Sequence, residues 1–104
     1  MANPRIEPLK KVLAMDPNDE VVWFGLGKAY MEDANFAEAI TALESCIRVK
    51  PTYSAAYLAL AQSLQKSGRI EQCRQVCQQG IDVSTQNGDA MVTKNLELLT
   101  QSLG

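Results

Sequence analysis

The feature that most constrains this chain is a repeat with a period of 34 residues. At that spacing Pro17 returns as Pro51, Leu26 as Leu60, Ile47 as Ile81 and Val49 as Val83. Trp23 returns as Tyr57, Gly27 as Ala61, Phe36 as Ile70, Ala39 as Cys73, Leu43 as Cys77 and Cys46 as Gly80. The match also runs backwards, pairing Ile6 with Ile40, Leu9 with Leu43 and Leu13 with Ile47. As a rule large positions recur as large and small ones as small. A fixed period of this length marks a stacked array, in which each small residue lets a neighbouring element approach closely.

Within one period the apolar spacing is helical twice. Trp23, Leu26, Gly27 and Tyr30 follow the i, i+3, i+4, i+7 rule of one buried face. Phe36, Ala39, Ile40, Leu43, Cys46 and Ile47 form a second such face. Asp33-Ala34-Asn35 is a short polar break in which Asn35 tolerates the left-handed conformation that ends helices, and Gly68 occupies the equivalent break one period later. Pro51 stops the second helix, and Asp16-Pro17-Asn18-Asp19 punctuates the preceding one. The spacing predicts six helices, at roughly 8–16, 20–33, 36–50, 54–67, 70–86 and 89–103, the first kept short because Pro8 should not sit deep inside it.

The series Trp23…Leu26-Gly27…Tyr30…Phe36…Ala39…Pro51 resembles the signature of the tetratricopeptide-repeat family in both spacing and residue type. The second copy keeps it as Tyr57…Leu60-Ala61…Leu64…Ile70…Cys73 but has Thr85 in place of the proline, so its second helix is expected to run on to Asn87-Gly88. The resemblance implies an all-α fold, a short right-handed α-solenoid of antiparallel helix pairs with terminal capping helices. It divides a single 1–104 domain into a half-repeat at 1–19, repeats at 20–53 and 54–87, and a capping helix at 88–104. In that last helix Val92, Leu96, Leu99 and Leu103 make one apolar stripe, while Thr93, Lys94, Glu97 and Gln101 face elsewhere. Such a polar face keeps the end of an array soluble. The first helix reads equally as a cap or as the remnant of a longer array.

Composition narrows the function. Ten Lys and Arg against 12 Asp and Glu give a formal charge of −2, without the basic surplus that binding nucleic acid requires. No apolar run approaches the ~20 residues that span a bilayer, and Met1-Ala2-Asn3-Pro4-Arg5 lacks the pattern of an export signal. The chain has no histidine, the commonest general base and metal ligand. Its three cysteines, Cys46, Cys73 and Cys77, are read as free packing thiols in a reducing cytoplasm, since their spacing suits neither zinc nor a disulfide. Gly25-Leu26-Gly27 lies in mid-helix and cannot cradle a phosphate; Gly27 is read as admitting a neighbouring helix and Gly25 as keeping a groove floor open. No carboxylates pair on an apolar background as general acid–base work demands, so no enzymatic activity, cofactor or metal is expected.

The family's fold implies that each repeat's first helix lines a concave side. Val21, Phe24, Lys28 and Met31 share one face of the first such helix, away from its packed stripe, and three of the four are apolar. Leu58, Gln62 and Gln65 hold the corresponding face of the second. These seven residues are the candidate partner-binding set: a groove for a short apolar or amphipathic segment of another protein. A groove between helices of ~21 Å takes an extended peptide of about six residues. One branch of the family grips acidic chaperone tails with a basic, Asn-rich clamp; here the matching positions hold Phe24 and Ala59, with only Lys28 polar, which argues against that ligand. Two competing readings concern the same stripe: burial under the terminal helices, or a homodimer built through it. Whatever covers the groove, the buried faces are fixed by the period, and Leu43→Ala or Leu60→Ala is expected to cost about 2–5 kcal/mol in denaturant unfolding.

Overall fold

The computed structural model describes residues 3–104; Met1 and Ala2, which open the segment read as lacking an export signal, lie outside them. The described residues form six helices in sequence: α1 (Ile6–Met15), α2 (Glu20–Glu32), α3 (Phe36–Val49), α4 (Ser54–Lys66), α5 (Ile70–Asn87) and α6 (Ala90–Ser102). Each packs against the next, and α4 also touches α2 and α6. The α2, α4 and α6 helices therefore form one layer and α1, α3 and α5 the other. Leu43 is fully buried and Leu60 is 4% exposed, at the centre of one continuous core.

The first helix begins two residues earlier than the spacing predicts. Pro8 is its third residue, where the amide it lacks would have no partner within the helix. Asp19 caps α2 by accepting hydrogen bonds from the amides of Val21 and Val22, and Asn35 caps α3 by accepting one from Glu38. These side chains satisfy amides that a helix start otherwise leaves open. Behind each start the aromatic residue of the repeat is tied to the preceding turn. The Trp23 indole donates to the Pro17 carbonyl at 2.7 Å, and the Tyr57 hydroxyl donates to the Pro51 carbonyl at 2.6 Å. Trp and Tyr exchange across the period because both present a donor at the far end of an apolar ring.

The α5 helix continues to Asn87 and closes at Gly88 in the left-handed conformation. The side-chain amide of Asn87 donates to the Thr52 carbonyl, fastening the extension to the turn before α4. Extending α5 moves α6 two places out of the period. Val92 and Leu96 are buried where Ala56 and Leu60 stood 36 residues earlier. Leu99 and Leu103 complete the stripe, half-buried against the core. Lys94, Glu97 and Gln101 are exposed, whereas Thr93 turns inward, its hydroxyl 2.6 Å from that of Ser84.

Two glycines set the closest approaches. A Cβ on Gly27 would lie 2.6 Å from Leu43 Cγ, and one on Gly80 would lie 2.6 Å from Tyr57 Cβ and 2.7 Å from Leu96 Cδ1. Gly27 thus admits α3 as its position suggests. Gly25 does not floor a groove: its missing side chain faces Leu9 of α1 at 3.7 Å.

The turn between α2 and α3 differs in one residue from its expected form. Ala34, not Asn35, is left-handed, at φ 56°, and its counterpart is Gly68 at φ 76°. The amides of Asn35 and Arg69 reach back to the carbonyls of Tyr30 and Leu64 in the same closing bond, each at 2.9 Å. The two turns share one geometry, and alanine bears a steric cost there that glycine does not. Ala34→Gly is therefore expected to stabilise the protein by about 1 kcal/mol and Gly68→Ala to destabilise it comparably, both readable by urea denaturation.

Candidate functional site

The seven residues read as a binding set lie on α2 and α4, and the structure divides them. Met31, Leu58, Gln62 and Gln65 line one cavity of about 390 Å³. Met31 and Leu58 pack partly against the core, and the two glutamines are half-buried. Gln65 donates from its amide to the Ser102 hydroxyl, so the wall of the cavity is tied to α6. The cavity is completed by Phe36, Lys66, Asn95 and Leu99. Its lining combines apolar side chains with amides, which donate and accept hydrogen bonds alike, and Lys66 adds one cation.

Val21, Phe24 and Lys28 form a separate group nearer the start of α2. Val21 is 61% exposed. Phe24 is half-buried, its ring 5.1 Å from that of Tyr53. Lys28 is exposed, with Nζ 6.0 Å from the centre of the Phe24 ring. Phe24 thus helps close the turn into α4, and its truncation carries a packing cost. Ala59 is 2% exposed, so it belongs to the helix interface and not to the groove surface.

Asn95 and Leu99 join the cavity although a strict 34-residue period does not bring them there. Their places follow from the two-residue offset of α6, which puts them in the register of Ala59 and Ser63. The spacing of Ala56 to Val92 and Leu60 to Leu96 is the signal in the sequence that locates them. The α6 helix flanks the cavity and leaves it open on the surface formed with α2 and α4.

The charges near this face are held by the N-terminal segment. The Asn3 side chain and the Arg5 guanidinium both donate to Glu32 Oε1, at 2.6 Å and 2.7 Å. The Asn3 amide donates to the Asp33 carboxylate. These contacts, Asn3 foremost, lower the pKa of Glu32 below the usual carboxylate value. The three cysteines are free and fully buried. Burial pushes the Cys46 thiol up to about 11, with the charge of Glu20 adding to it. Burial and then the neighbouring Cys77 raise Cys73 to about 11 as well, and its thiol donates to the Ala61 carbonyl. Tyr53 and Tyr57 are raised in the same direction by burial. Cys46 and Cys73 are therefore held as thiols near neutral pH.

Comparison with known proteins gives consistent matches. The family model for the tetratricopeptide repeat matches residues 6–48 and 31–91. A TPR repeat-containing protein of Pseudomonas aeruginosa, PA0015, is 31% identical over 98 residues, covering 94% of this chain and 93% of that one. The solution structure of BPP2914 from Bordetella parapertussis is 32% identical, with a TM-score of 0.81 over 94% of this chain and 85% of that one. The TPR2B domain of yeast Sti1, in its pHsp70 complex, superposes with a TM-score of 0.88 over 94% of this chain and 78% of that one. At 13% identity it shares the fold alone. Among the described residues, no helix is long and apolar enough to cross a membrane.

The buried thiols make a prediction about pH. The folded protein holds the protons of Cys46 and Cys73 more tightly than the unfolded chain does, so this share of stability is intact below about pH 8.5. It is lost as pH rises towards about 11. Denaturant unfolding between pH 8 and 11 should show this fall, with a shallower slope in Cys46→Ala.

Proposed function

The chain belongs to the tetratricopeptide-repeat family, and on that premise we propose that it is a non-catalytic interaction module whose concave face receives a short segment of another protein. The observation that carries this reading is the cavity shared by α2, α4 and α6, with Met31 and Leu58 beside Gln62 and Gln65. Flexible, polarisable Met31 adapts to an apolar side chain. The glutamine amides suit the peptide backbone of an extended segment, which offers a donor and an acceptor at every residue.

A domain of the same fold, the first TPR of Spaghetti, is seen bound to the Hsp90 peptide SRMEEVD. The surface of the present chain differs in kind. Phe24 leans on Tyr53 and Ala59 is buried, leaving Lys28 and Lys66 as the cations beside a largely neutral face. An apolar or amphipathic segment matches it better than an acidic tail. A contact of this size favours micromolar affinity. The free thiols, all buried, suit a reducing compartment such as the cytoplasm.

The test places charge in the cavity from two half-buried positions. Affinity capture from native extract with wild type should retain a protein that Met31→Glu/Leu58→Glu loses at least tenfold, while the double variant still shows a cooperative melt. Equal capture by a folded double variant would move the binding face elsewhere. Sedimentation over a range of concentrations separates this reading from self-association through the same stripe, since the module is expected to stay monomeric.

A further inference from the structure

We propose a second binding site on the opposite side of the array: a cavity between α1 and α3, floored by α2, that receives an arginine side chain presented by a partner protein. The cavity measures about 380 Å³, with Leu13, Trp23, Leu26 and Ala42 inside and Lys10 and Glu38 at its mouth. It does not share a residue with the concave cavity, and the inference stands whether or not that face binds a partner.

The repeat supplies an internal comparison. One period later Ala14 becomes Arg48, Thr41 becomes Gln75 and Ala42 becomes Val76, each a larger side chain. The aromatics change in the opposite sense, Trp23 becoming Tyr57 and Tyr30 becoming Leu64, yet Tyr57 is 6% exposed whereas Trp23 is only half-buried. At the positions of Ala14, Thr41 and Ala42 the first interval lacks bulk that the second carries in its own sequence. The residue at the place of Ala14 in the second interval is Arg48, which is exposed; an arginine can lay its aliphatic stem on apolar surface while its head stays in water.

Charge selects the same group. The indole N–H of Trp23 is already committed to the Pro17 carbonyl, and what an indole retains for a charged group is its face, which attracts cations. Lys10 is already compensated: its ammonium lies 4.0 Å from Glu7, and the Tyr30 hydroxyl beside it raises its pKa. Glu38 makes no ion-pair contact within 4.0 Å among the described residues, although its charge also acts on Lys10. Lys10 thus stands against two carboxylates, Glu7 and Glu38, and the mouth carries one negative charge in excess beside a π surface. A guanidinium satisfies both, because its plane stacks on an aromatic face while its fork of N–H groups pairs with a carboxylate.

Trp23 is the only tryptophan of the chain, so occupancy is directly readable. The full-length protein is titrated with the capped peptide acetyl-Ala-Arg-Ala-amide and with its neutral citrulline analogue, following Trp23 emission and the indole N–H resonance. The arginine peptide is expected to give a saturable change in the millimolar range, at least tenfold weaker for citrulline and for Glu38→Gln. Ala14→Arg, which fills the site from within, should abolish the response. Ala42→Val tests the same point should Ala14→Arg melt early, and is expected to weaken binding at least tenfold. A change that does not saturate, an equal response to citrulline, or full binding by both filled variants overturns the proposal.

Discussion

Everything in this molecule depends on how closely the helix of one layer can approach its partner in the other. At the centre of the first repeat that approach is set by an absent side chain, since Gly27 leaves the space that Leu43 enters. One period on the roles are traded: Ala61 has the methyl group that Gly27 lacks, and Cys77 is smaller than Leu43. The same conservation of total volume explains why a large residue can vanish from one side of a contact without leaving a hole. Gly80 repeats the device on the next interface, opening a place for both Tyr57 and Leu96. The layers are held at one spacing along the array by complementary sizes, and the surfaces on either side inherit their shape from it.

Most of the fold was legible because stacking enforces periodicity. The identity of Pro17 with Pro51, Leu26 with Leu60 and Ile47 with Ile81 reports positions where the same contact is made twice. What the period hides lies at its interruptions. The α1 helix starts two residues before the place that Pro8 suggests, because the first turn of a helix needs no amide from a proline. The left-handed residue was misplaced by one because propensity favours asparagine, while the closing bonds of the turn require that conformation at Ala34. The offset of α6 comes from four further residues of α5, and a reading anchored to 34 cannot bring Asn95 and Leu99 to the cavity they help line.

The candidate site was legible by helix face and less so by depth. Spacing groups residues by their side of α2, yet it does not tell how far along the helix a partner element closes the surface. Met31 meets the side chains of α4 and α6, whereas Phe24, seven residues earlier, is taken up by Tyr53. Gly25 shows the same limit from the other direction, since only the position of α1 reveals that it faces Leu9. Side-chain direction on a helix is periodic; what stands opposite depends on the tertiary arrangement.

The helices do not share their neighbours equally. Four helices surround α4, whereas α1 packs on α2 alone, with Asn3 and Arg5 fastening its start to the end of that helix. In a structure built from nearest-neighbour contacts, the element with one neighbour opens at the lowest free energy, without waiting for the rest to unfold. Amide hydrogens of α1 therefore exchange through local detachment, and those of α4 through opening of the whole domain. A side chain seated between α1 and α3 acts as a strut across the gap between them, so its occupancy is written into the lifetime of a helix it barely covers.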